Sequence, residues 1–139
     1  MKTEEELKLS FSIEVEDFII RLTYKEAFSG DEDVQQAHLI YVGLSSIFES
    51  EPKKMYSMFV DLSGVSSWRY VAEESRALYA KISGHERMQR VAVYGSSVLL
   101  GVATSLVARA SGKKDSLVFF ADRDKALAWL REAKEGVPR

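Results

Sequence analysis

Met55 to Val65 reads MYSMFVDLSGV. Only Ser57 and Asp61 interrupt the apolar run up to Leu62, and Ser63-Gly64 then ends it with turn chemistry. A run of this length suits an interior strand covered on both faces. Two more runs of the same kind lie downstream, Val91 to Tyr94 and Leu117 to Phe120. Helical spacing predicts one helix from about Tyr70 to Ser83 and another from about Ser97 to Ser111. Strands that alternate with helices imply a parallel sheet with right-handed crossovers.

Upstream the pattern changes. Leu7, Leu9, Phe11 and Ile13 alternate with Lys8, Ser10, Ser12 and Glu14, and Phe18, Ile20, Leu22 and Tyr24 repeat the alternation. Period two with a polar turn at Glu16-Asp17 predicts a hairpin. SGDED at 29–33 offers Ser29, Asp31 or Asp33 as a helix cap. Val34, Ala37, Ile40, Tyr41, Leu44, Ile47 and Phe48 then fall at helical spacing, ending before Pro52. A last helix begins at Asp122, carries Ala126, Leu127, Trp129, Leu130 and Ala133 on one stripe, and closes at Gly136. The expected fold is α/β: a mixed, mainly parallel five-stranded sheet, with an N-terminal β-hairpin followed by α-β-α-β-α-β-α. One domain spans 1–139.

The chain has 139 residues, room for a single core. Its net charge of −2 argues against nucleic acid as a partner through a broad basic face. With no cysteine, thiolate catalysis and thiolate metal sites are excluded. The two histidines, His38 and His85, lie far apart with no carboxylates spaced to complete a zinc site, so no metal and no cofactor are expected. His85 stands among charged residues and is expected to be exposed; His38 falls at the boundary of the helical stripe. The opening MKTEEELKLS is acidic and lacks a long apolar run, so no secretory signal is expected. VLLGVATSLVARA at 98–110 is too short to span a bilayer, and the expected compartment is the cytoplasm.

MFVDLSGV at 58–65, RVAVYG at 90–95 and VFFADRDKALAWL at 118–130, with helices between, resemble the bacterial SpoIIAA-like family. These are STAS/SEC14-type domains, related in fold to anti-sigma-factor antagonists and to lipid-binding CRAL-TRIO proteins. The resemblance covers about Met55 to Leu130. It implies a sheet with helices wound successively along it, often assembled as a dimer, and many such proteins have no assigned biochemistry. STAS antagonists carry a D-S-S-G turn whose second serine a kinase phosphorylates. On this chain those positions fall on Arg69, Tyr70, Val71 and Ala72, so the phosphoacceptor switch is not carried over to Ser66 or Ser67.

Ligands of open parallel sheets sit beyond the carboxyl ends of the strands. The candidate residues there are Ser66, Ser67, Trp68, Arg69 and Tyr70 after the third strand, Gly95, Ser96 and Ser97 after the fourth, and Asp122 and Arg123 after the fifth. Trp68 can wall a pocket or anchor a partner, or simply fold over the core. Arg69 suits an anion, or a pair with Glu73. Gly95-Ser96-Ser97 opens a helix with free N–H groups, yet without the G-x-G-x-x-G or P-loop pattern, and serves equally as a plain N-cap. The following helix is apolar nearly all round, which makes Leu99, Val102 and Leu106 candidates for a contact surface. No G-x-S-x-G elbow or acid/base pairing is legible, so no enzyme is expected. The expected function is a non-enzymatic module acting by protein–protein interaction, most simply as a homodimer. The alternative is a binder of a small lipophilic or anionic ligand at the carboxyl edge.

Overall fold

The structure is a computed structural model and describes residues 2–65 and 72–133, apart from the side chains of Val98 and Leu99. Its elements are α1 (Glu4–Lys8), β1 (Phe11–Glu16), β2 (Ile19–Tyr24), α2 (Gly30–Ser50), β3 (Tyr56–Asp61), α3 (Glu73–Ser83), β4 (Met88–Tyr94), α4 (Val98–Ser111), β5 (Leu117–Phe120) and α5 (Arg123–Arg131). The strands lie side by side in chain order. β1 and β2 are antiparallel, and β2 through β5 are parallel.

The opening corrects the sequence reading. Leu7 and Leu9 do not begin a strand; they belong to a short helix and its C-cap. Thr3 and Glu6 form a reciprocal capping box, with Glu6 N–H donating to Thr3 Oγ1 at 3.2 Å and Thr3 N–H to Glu6 Oε1 at 3.1 Å. That box outweighs four residues of alternation. Leu7 is buried at 1% exposure while Leu9 stands 75% exposed, so the apparent period-two pair ends on opposite sides of the boundary with water. The hairpin is correspondingly shorter, and Asp17 turns it at φ +62°, a conformation aspartate tolerates.

Each connection from β2 to β5 steps one strand in the same direction. A common crossover hand then places α2, α3 and α4 on one face of the sheet. Ile40, Leu44 and Phe48 of α2, Ala80 and Ile82 of α3, and Leu100, Val107 and Ala108 of α4 share one core with Ile20, Leu22, Met58, Val60, Val91 and Val93. Burying each large side chain of α2 contributes roughly 1.5–3 kcal/mol. α5 lies on the opposite face, where Ala126, Leu127 and Leu130 cover Ile19, Phe59 and Ala92.

The helix ends are completed from elsewhere in the fold. α2 has no basic residue in its last turn. Arg87 supplies the cation from the start of β4, donating to the carbonyls of Phe48, Glu51 and Lys54 at 2.6, 2.8 and 3.1 Å. α4 ends at Gly112, whose φ of +78° forms a left-handed cap.

Candidate functional site

At the carboxyl edge the described residues do not converge on one pocket. Asp61 accepts from the backbone and the hydroxyl of Ser63 at 2.9 and 2.6 Å, closing the turn after β3 on itself. Gly95 is pressed against α4: a Cβ there would stand 2.5 Å from Leu100 Cδ2. Ser96 is exposed, and Ser97 sits at the N-cap of α4 without a side-chain capping bond. Asp122 caps α5 instead, accepting from Lys125 N–H at 3.1 Å. Arg123 stacks over Phe59, 5.6 Å from the ring centre, and therefore belongs to the α5 face. Gly95 to Ser97 start a helix on one face of the sheet, while Asp122 and Arg123 serve the other. Ser66, Ser67, Trp68, Arg69 and Tyr70 lie outside the described residues.

A buried polar chain at the same edge escaped the sequence reading. Asp33, offered there as a cap for its own helix, caps α3 instead. Its Oδ2 accepts from Ala72 N–H at 2.8 Å and from Ser75 Oγ–H at 3.0 Å. Burial holds its carboxyl above the ordinary aspartate value of 3.8, and those two hydrogen bonds work against the rise. Nearby, Tyr24 donates its hydroxyl proton to the Tyr79 hydroxyl at 2.6 Å, bridging β2 to α3. Burial pushes both phenols up, and the Asp33 charge adds to it. The signal was present in the sequence: Asp33 stands four residues before Ala37 and seven before Ile40, on the buried stripe of α2. A carboxylate on that stripe must find donors in the fold.

Near β1, polar contacts tie α2 to the N-terminal segment. Gln36, fully buried, donates to Ser10 Oγ at 2.9 Å and to the Glu26 carbonyl at 3.0 Å, and Ser10 donates to the Leu7 carbonyl. On the outer strand, Glu14 and Glu16 are exposed, and Glu16 lies 3.5 Å from Arg21.

The β5 end differs. Its strand, LVFF, has no charge, and among the described residues no strand pairs with its outer side. Beside it, α4 buries Leu100, Thr104, Val107 and Ala108 while leaving Val102 and Leu106 56% and 45% exposed. A groove of about 460 Å³ runs between α4 and β5, floored by Gly101, Ala108 and Phe119, with Arg109 and Lys114 along it.

Of the two histidines, His85 takes a structural place. His85 is half-buried rather than exposed, its ring stacked on Phe48 with centroids 4.0 Å apart. Its Nδ1 accepts from Arg87 N–H at 3.0 Å, and burial followed by the Arg87 charge lowers its pKa. His38 is exposed on α2. Among the described residues, no three histidine or carboxylate side chains gather as metal ligands, and no helix is long and apolar enough to cross a membrane. No family model matches the chain, and no curated protein matches it either.

Proposed function

We propose that this chain is a non-enzymatic STAS/SEC14-like module that acts by protein–protein interaction, and that its first partner is a second copy of itself. The observation that carries this reading is the β5 end: two large aliphatic side chains one turn apart on α4, beside an edge strand without charges. Edge strands present unpaired N–H and C=O groups, and proteins that remain single usually blunt them with charge. A two-fold axis beside β5 pairs it antiparallel with its copy and brings the two α4 helices together, a self-complementary contact. Four residues of strand form too small a patch alone. Standard stable interfaces bury about 1,200–2,000 Å² in total, so α4 supplies the remaining apolar area.

Light scattering on size-exclusion fractions over a hundredfold concentration range tests this directly. A mass of twice the chain, approaching the monomer value only on dilution, is the expected result. A strict monomer at the highest concentration overturns the reading.

A further inference from the structure

The turn at residues 84–87, between α3 and β4, is gripped from two sides. Arg87 reaches the last carbonyls of α2, and its guanidinium lies 5.2 Å from the centre of the Phe48 ring. Lys113, just past α4, donates to the carbonyls of His85 and Met88 at 2.6 and 3.3 Å. Gly84 is pressed on the end of α4, where a Cβ would stand 2.7 Å from the Ser111 carbonyl oxygen. His85 sits between these grips, its ring on Phe48 and its Nδ1 accepting from Arg87 N–H at 3.0 Å. An imidazole that accepts through Nδ1 is neutral and carries its one proton on Nε2.

We infer that His85 is a proton-operated latch: protonation at Nδ1 releases the Arg87 N–H and loosens the 84–87 turn from the ends of α2 and α4. A second proton can go only to Nδ1, and there it abolishes the acceptor. It also brings positive charge to a place that resists it. Burial disfavours the charged ring most; Arg87 and Lys113 then repel it, and Glu86, exposed to water, opposes them. At the end of α2, Glu51 is engaged elsewhere, 3.6 Å from Lys54 and accepting from the Tyr56 hydroxyl at 3.5 Å. The folded ring thus binds its proton more weakly than the unfolded one. The contribution of the latch to stability is fully present above the ordinary value of 6.5 and is lost as pH falls through the lowered native value. The latch uses neither β5 nor Val102 and Leu106, so it stands apart from the proposed contact between copies.

NMR of the full chain across the imidazole range, from about pH 8 to about pH 5, tests the latch. One sample reads both the His85 ring titration and the exchange protection of the Arg87 amide, corrected for intrinsic exchange. The ring should titrate below 6.5. Arg87 protection should fall about 3- to 10-fold with the same midpoint, the value of one hydrogen bond. His85→Asn offers Oδ1 to the N–H two residues on, as in an Asx-turn, and does not titrate in this range, so its Arg87 protection should stay flat. Constant Arg87 protection through the ring titration of the parent overturns the latch, whether or not His85→Asn folds. An equal fall in a folded His85→Asn overturns it too, as does a ring midpoint at or above the ordinary value.

Discussion

The two ends of the sheet are finished differently. At the β1 end, Ser10 and the Gln36 amide nitrogen place buried polar atoms on specific partners, and Glu14 and Glu16 line the outer strand. At the β5 end, the strand is uncharged and α4 turns Val102 and Leu106 to the outside. Buried polar networks tolerate little change, because each member depends on its partners. An apolar surface tolerates change in the isolated chain but attracts whatever can cover it. The β1 end therefore depends on specific polar pairs, and the β5 end carries the proposed association.

Replacing Val102 and Leu106 together with glutamate should have the largest effect. Self-association should weaken by tenfold or more, read as a fall to monomer mass, while the unfolding free energy stays within about 0.5 kcal/mol, as for other surface changes. Glu14→Lys on the opposite edge should leave the mass unchanged. Should it disrupt the dimer instead, the roles of the two ends are reversed.

Asp33→Ala attacks the buried polar link between α2 and α3. The stranded Ala72 N–H and Ser75 hydroxyl should lower stability by about 1–3 kcal/mol in urea unfolding, with no change in mass. Asp33→Asn retains an acceptor oxygen and should lose less.

Gly101→Ala sharpens the open end. The added Cβ would lie 3.5 Å from the Phe119 ring, an ordinary contact, in a helix where alanine is favoured over glycine by up to about 1 kcal/mol. Thermal unfolding should move upward while self-association weakens, because the methyl fills the groove floor. Unchanged association would remove that groove from the contact.

The smallest expected effect is in pH dependence. The folded Asp33 carboxyl holds its proton more tightly than the unfolded one. Its contribution to stability is therefore fully present below the ordinary value of 3.8 and is lost as pH rises through the raised native value. Subtracting the Asp33→Asn stability profile from that of the parent should leave a decline in that interval. A flat difference would mean that the carboxyl titrates alike in both states.

Much of the architecture was legible because its signals are local. The short apolar runs at Tyr56–Asp61 and Leu117–Phe120 decide strand by their length and bounding turns, and the long stripe of α2 decides helix by its period. The misread opening had an equally local signal, the Thr3–Glu6 capping box, which prevails because it satisfies backbone donors that alternation leaves open. The candidate edge was less legible. Gly95, Ser96, Ser97, Asp122 and Arg123 share an edge in topology, but periodicity does not say that α5 crosses to the other face and takes Asp122 and Arg123 with it.

The sequence by itself determined the order of elements from the hairpin onward, the mixed sheet and the apolar character of α4, since each depends on neighbours within a few positions. Only the tertiary structure decided that Asp33 caps a helix 39 residues away. In the same way it brought Arg87 to the end of α2 and Tyr24 to Tyr79. It also decided which side of α4 is covered. The physical reason is common to all of these: a buried polar group or an apolar face specifies that it needs a partner, and the packing of distant segments selects which one.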